Sequence, residues 1–245
     1  MINNNFKIAF SLPEVLLTIG IIGVVAALTL PVIHSSYEIS VSKNKFKKDM
    51  AILNQVGQMS RLKYGYDFST LQKPASVTTC KSETSQDFSI CGMLNDSLNN
   101  AKYLGLDNEI YINSKIKWVP HLLATVYAQN FRHYVWQLPD GSLVAINTML
   151  GLGYNNRNCV LGEGESIDPT WVSNHWWCIG YIDTNGVDLP NQEVSCSNKD
   201  DTKVGGTISC DVKKDLNHVT DIYPFVFHDD IVEPATNASV YLFRN

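Results

Sequence analysis

The 245-residue sequence is poor in positive charge: 19 Lys and Arg stand against 24 Asp and Glu, a formal net charge of −5. A protein that grips nucleic acid needs clustered cations on the phosphates, so no nucleic-acid partner is expected. Nine prolines and 15 glycines are too few for a fibrous or low-complexity chain, and 44% apolar residues are too many for a disordered one. The six cysteines form no C-x-x-C pair, which argues against a zinc ribbon or a thioredoxin-type site. The sequence has no G-x-S-x-G, no H-E-x-x-H and no phosphate-cradling glycine loop. Its histidines (His34, His121, His133, His175, His218, His228) lack metal-ligand spacing, so neither a catalytic site nor a resident metal is expected. No internal repeat is visible. The length suffices for one good-sized core, or a core with an appendage.

The charge that is present is zoned. Residues 1–33 carry only Lys7 and Glu14. Residues 34–65 carry Lys43, Lys45, Lys47, Lys48, Arg61 and Lys63 against Glu38 and Asp49. The rest of the chain is net acidic. This describes an apolar head, a basic stalk and an acidic body. In the head, Val15 to Ile33 has no charge, and only Thr18 and Thr29 are clearly polar. As a helix this run is about 28 Å long, close to the ~30 Å hydrocarbon core of a bilayer. A soluble core helix would show a polar stripe, and this run has none. A cleaved secretory signal would have a shorter apolar region and no acid at its start.

That acid is Glu14. Ser11-Leu12-Pro13-Glu14 fits the capping box S-x-x-E, with Glu14 reaching back to the Ser11 amide. Pro13 falls in the first helical turn, where its missing N–H is no loss. Its ring forbids continuing the helix back past Ala9 and biases Leu12 away from helical angles, so residues 1–9 should be extended and open to a protease. Glu14 can also pair with a positive group brought by another copy of the chain, and the two roles are compatible.

The segment Ala9-Phe10-Ser11-Leu12-Pro13-Glu14-Val15-Leu16, continuing through Gly20-Ile21-Ile22-Gly23-Val24-Val25-Ala26-Ala27-Leu28-Thr29-Leu30-Pro31, resembles the N-terminus of type IV pilins and type II secretion pseudopilins. The resemblance implies a leader over residues 1–9, removed between Ala9 and Phe10 by a prepilin peptidase, and N-methylation of Phe10. It implies that Glu14 neutralises the Phe10 amine of a neighbouring subunit in a helical filament, raised by an inner-membrane assembly platform. The chain departs from the family in two places: Ala9 stands where glycine is usual, and Pro13 where most members have an unconstrained residue. Gly23 and Ala27 form a small-xxx-small pair, which either lets helix backbones approach closely or reflects the general abundance of such residues in membrane helices. Pro31 removes the bond to the Ala27 carbonyl and should kink or loosen the helix.

The stalk continues helix-like. Phe46, Met50, Leu53 and Gly57 fall on one stripe of a 3.6-residue period, which should dock on the body. The lysines read as a solvated face, with anionic lipid headgroups as a specific alternative partner. Counting positive charges on either side of the apolar run places the body in the cytoplasm. The resemblance places it outside, and the cysteines agree: Cys80, Cys91, Cys159, Cys178, Cys196 and Cys210 are an even set suited to an oxidising compartment. Neighbour pairing closes the shortest loops, though spacing alone leaves other connectivities and free thiols open. The expected organisation is a leader (1–9), a transmembrane and assembly helix (10–33), an amphipathic continuation (34–65) and an extracytoplasmic domain (66–245). The protein would sit in a bacterial inner membrane as a single-pass protein with a periplasmic body, or on the cell surface in an assembled filament.

In the body, residues 135–146 read as a hairpin around Pro139-Asp140-Gly141. Residues 176–182 read as a strand ending in the turn Asp183-Thr184-Asn185-Gly186, and residues 240–243 as a closing strand. Residues 95–103 suggest a short helix, residues 115–127 are apolar and ambiguous, and Asp229-Asp230 reads as a solvated turn. A helix followed by strands predicts an α+β fold with the stalk helix on an antiparallel sheet, stabilised by disulfides; the resemblance makes it pilin-like. Asp183-x-Asn185-x-x-Asp188 is either an Asn-Gly turn or an oxygen-rich calcium turn, although it lacks the EF-hand glycine position. Related pseudopilins carry a calcium site, and by that resemblance alone Asp183, Asn185, Asp188 and Asp221 would be its ligands. Trp171, Trp176 and Trp177 are either core residues or a surface aromatic patch for a carbohydrate or protein partner. The function expected is a minor or specialised filament subunit. The alternative is a membrane-anchored binding module or adhesin that never polymerises.

Overall fold

The computed structural model describes residues 11–71, 80–98, 100–106, 133–147, 159–168, 171, 174–188, 192–196, 212 and 220–244. The fold is α+β. A single helix, α1 (Leu12–Tyr64), runs for 53 residues without a break at Pro31 or at the boundary between head and stalk. Ser11 takes the extended N-cap conformation and Glu14 closes the capping box, so Pro13 sits at the second helical position and Leu12 is already helical despite the bias Pro13 imposes on it. The helix ends where Gly65 turns left-handed (φ 78°) and donates its N–H to the Arg61 carbonyl.

The rest comprises α2 (Ile90–Ser97), β1 (Lys102–Leu106), β2 (His133–Gln137), β3 (Leu143–Asn147), β4 (Ile179–Asp183), β5 (Ile222–His228), β6 (Ile231–Pro234) and α3 (Asn237–Arg244), with short 3-10 turns at Cys80–Ser82, Ser85–Asp87 and Trp176–Cys178. The six strands form one antiparallel sheet in chain order, each paired with the next. Strands β3, β4 and β5 are buried at every position, so both faces of the sheet are covered there.

Only the second half of α1 docks. Phe46, Met50, Leu53 and Val56 are buried, and Phe46 stacks on Tyr223 of β5 with ring centroids 4.6 Å apart. Gly57 lies where the helix crosses the β5–β6 turn; a Cβ there would come within 2.6 Å of the Asp230 carbonyl oxygen. The predicted stripe is therefore the docking face, and its glycine marks the closest approach.

The β2–β3 hairpin forms as expected, closed by Leu138 N–H to the Ser142 carbonyl (2.8 Å) and Gly141 N–H to the Leu138 carbonyl (3.0 Å). Four local readings are corrected. The helix expected at 95–103 is α2, shifted earlier because Ser89 caps it by accepting the Gly92 N–H; Asn100, at φ 63°, then turns the chain into β1. The strand expected from Trp176 begins only at Ile179. Residues 176–178 are a 3-10 turn, with the Cys178 N–H donated to the His175 carbonyl. The strand expected at 240–243 is helix α3. The Thr236 hydroxyl oxygen accepts the Ser239 N–H at its start, and Ala238 and Leu242, four residues apart, are buried. Asp229-Asp230 is a turn, as expected, but a half-buried one with partners: Asp230 pairs with Arg61 (3.2 Å), and Asp229 accepts from His228 Nδ1 (3.0 Å).

Disulfides join Cys80 to Cys91 and Cys159 to Cys178, both between neighbours along the chain. Cys196 is also disulfide-bonded, and Cys210 lies outside the described residues.

Candidate functional site

Two parts of α1 carry features that packing alone does not explain: its bare N-terminal half, and the neck where it meets the sheet. In the first half, residues 12–31 are exposed except Ala26, with Leu12 at 76% and Leu28 at 71% of full exposure. This is one helix long and apolar enough to cross a membrane. Its two threonines suit lipid: Thr18 Oγ1 donates to the Val15 carbonyl and Thr29 Oγ1 to the Val25 carbonyl, both at 2.9 Å, so neither hydroxyl is left wanting a partner. Gly20, Gly23 and Ala27, at i, i+3 and i+7, share one face, and nothing lies within 4 Å of a Cβ built on either glycine.

Glu14 is exposed in the first turn. One of its oxygens, Oε2, accepts both the N–H and the hydroxyl of Ser11 at 2.9 Å. Among the described residues, the other oxygen accepts no hydrogen bond. The carboxylate can thus hold its capping role and still receive a cation. Ala9 and Phe10, the expected processing site, lie outside the described residues, as does the expectation that residues 1–9 are extended.

The neck is where sequence reading and structure differ most. Two of the four clustered lysines bond to the sheet domain, Lys45 from a half-buried position and Lys48 from an exposed one. Lys45 Nζ donates to the carbonyls of Thr184 (2.8 Å) and Asp140 (3.3 Å), and Lys48 Nζ donates to Asp140 Oδ2 (2.8 Å). The lysines reach into the sheet because the β2–β3 turn and the turn after β4 present carbonyls beside the helix, an arrangement that periodicity does not reveal. Ser42 and Thr184 hydroxyls meet at 2.7 Å, and Thr184 Oγ1 also donates to the Asp221 carbonyl. Burial alone would raise the Asp140 pKa, but hydrogen bonds from Lys48 and Ser142 outweigh it, and the carboxyl lies below its ordinary value. The same bond raises Lys48.

Asp49 stands in this neck fully buried, with no hydrogen bond to either carboxylate oxygen. Burial pushes its pKa up to about 7, against smaller opposing influences from Ser142 and the two lysines. The sequence did hold a signal: Asp49 is three residues after Phe46 and four before Leu53, a charge placed on the apolar stripe itself. Asn54 gave no such signal. Its side chain bonds both ways to β6, donating to the Val232 carbonyl (2.9 Å) and accepting the Val232 N–H (2.8 Å), so it occupies the sheet's edge as a partner strand would.

The residues named for calcium all lie among the described ones. Asp221 Oδ1 accepts the Gln192 N–H at 2.6 Å, the Thr184 carbonyl is taken by Lys45, and Asp188 is exposed. Among the described residues no three His, Cys, Asp or Glu side chains converge as metal ligands.

Of the tryptophans, Trp171 is buried, stacks on His175 at 4.3 Å and donates its indole N–H to the Val160 carbonyl. Trp176 and Trp177 are partly buried against the core and meet edge to face. They are joined to the body and do not form a separate open patch. No family model, no curated protein and no solved structure matches the chain.

Proposed function

We infer that this chain is a prepilin-like subunit: a protein made as a single-pass inner-membrane precursor with its body in the periplasm, cut between Ala9 and Phe10 by a prepilin peptidase, and assembled with copies of itself or related pilins into a type IV pilus or type II secretion pseudopilus. Its role is structural, as a minor or specialised subunit. The observation that carries this reading is one unbroken helix with two unlike halves, the first bare and apolar and the second docked on a disulfide-bonded sheet domain. A domain that needed only tethering could use any apolar span. Here the span and the domain share one rigid rod, so packing the spans of several subunits also fixes the spacing of their bodies. On leaving the bilayer, the apolar face trades lipid for other helices. The Gly20–Gly23–Ala27 face allows close approach, and Glu14 meets the new Phe10 amine of a neighbour. The oxidised cysteines accord with a body outside the cytoplasm.

N-terminal sequencing of the protein from membranes of the native host tests this directly. The expected terminus is Phe10, with a mass increment of one methyl group. An intact Met1 would remove the filament reading and leave the membrane-anchored binding module.

A further inference from the structure

We propose that Tyr37 is a membrane-interface anchor: its ring lies among the phospholipid headgroups on the body's side of the bilayer and fixes the height at which the body stands. The proposal rests on the first half of α1 being a bilayer span, and it is independent of filament formation.

The uncharged run from Val15 to Ile33 rises about 28 Å along α1. That length fills the ~30 Å hydrocarbon layer, so Ile33 marks its boundary on the body's side. Headgroups extend about 5–8 Å beyond each boundary. Tyr37 is four residues past Ile33, a rise of about 6 Å, so its backbone is at headgroup level. Aromatic side chains on a helix lean back over the turn towards the N-terminus, which here is the direction of the bilayer. The ring therefore drops into the headgroup layer. At that depth an amphipathic ring packs its faces against the upper ends of the acyl chains, and its hydroxyl can bond to lipid ester or phosphate oxygens.

The body leaves this ring free. Tyr37 is 68% exposed. Nine residues, about two and a half turns, separate it from Phe46, so it stands on the side of α1 opposite the docking face. Among the described residues, the first buried one along α1 is Ser42, about 8 Å further from the bilayer. Beside Tyr37, the exposed stalk turns polar: His34 Nδ1 and Glu38 Oε1 are 3.2 Å apart. The change from an apolar surface to paired polar side chains thus falls within one helical turn of Tyr37. With Tyr37 held at the headgroups, Ser42 and the turns that bond to Ser42 and Lys45 stand just beyond the lipid, and the depth of one ring sets the height of the body.

The test places tryptophans along α1 of the full chain in phosphatidylcholine vesicles and measures quenching by lipids brominated at known depths. The wild type, whose five tryptophans all follow α1, gives the baseline. Tyr37→Trp should add emission quenched most by the bromines nearest the headgroups. Val24→Trp, at the middle of the apolar run, should add emission quenched most by the bromines nearest the bilayer centre. Asn44→Trp should add emission that no bromine quenches. All three positions are exposed, so none of these variants disturbs the core. In the double variant Tyr37→Ala, Val24→Trp, the depth of strongest quenching should shift away from the centre. If Val24→Trp is quenched as expected and Tyr37→Trp is not, the span stands and the anchor is overturned. If Val24→Trp escapes quenching, the span reading fails and takes the anchor with it. A quenching depth at position 24 unmoved by Tyr37→Ala also overturns the proposal, because the ring then fixes nothing.

Discussion

At the scale of single residues, the contacts that fix α1 on the sheet are few and specific. Gly57 is required by space: an added Cβ would meet a backbone carbonyl, Asp230 O, which cannot move aside as a flexible side chain would. Gly57→Ala should gain up to about 1 kcal/mol of helix propensity but lose about 1–3 kcal/mol to overpacking, for a net destabilisation on the order of 1–2 kcal/mol. Urea unfolding of the detergent-solubilised chain measures this, and a more stable variant would show that the helix can lift from the turn at no cost. Asn54 is required by polarity. Asn54→Ala leaves the N–H and carbonyl of the buried Val232 without their side-chain partner, a loss of about 1–3 kcal/mol in the same assay, with fastest exchange at the Val232 amide. Leu62 provides the contrast. It is highly exposed on the far side of the helix, and Leu62→Ala should fall within about 0.5 kcal/mol of wild type.

At the scale of elements, legibility followed the source of each element's stability. The β2–β3 hairpin was readable because its turn residues and alternating flanks are local causes. So was α1, whose cap, apolar run and docking stripe all lie along one continuous segment. Helix α3 was misread because Val240-Tyr241-Leu242-Phe243 is rich in residues that favour strands. The deciding facts are the Thr236 cap, the burial of Ala238 and Leu242, and the edge-on contact of Phe243 with Phe46 of the distant helix α1, which local propensity does not reveal. The lysine contacts of the neck were missed for the same reason: Lys45 and Lys48 meet partners nearly a hundred residues or more away, and spacing along one helix cannot name them. Disulfides also act at this scale. Cys159–Cys178 ties the start of β4 to the segment carrying Val160, whose carbonyl anchors Trp171. Replacing both cysteines by serine should cost about 3 kcal/mol for a loop of this size and raise Trp171 fluorescence accessibility to an aqueous quencher, while the sheet itself persists.

At the scale of the whole molecule, the question is what the carboxylate at the head of a bare apolar helix is for. Capping and pairing are both available to Glu14, and replacing it by alanine removes both at once. Glutamine separates them. Glu14→Gln keeps the reach-back to the Ser11 N–H, because the capping box accepts Glu or Gln at this position, and it removes the charge a neighbour's amine would need. If capping alone matters, Glu14→Gln behaves as wild type and Glu14→Ala loses about 1 kcal/mol of helix-end stability. If charge pairing between subunits drives assembly, both variants are still cut before Phe10 and retain a folded body, since Glu14 is far from the core, yet both fail to enter filaments. The filament reading requires the second pattern. Expected yields of sheared filament from the native host are about tenfold or more below wild type for each variant, with normal amounts of processed protein in the membrane. The charge is then acting between molecules, because within one molecule Gln does everything that Glu does.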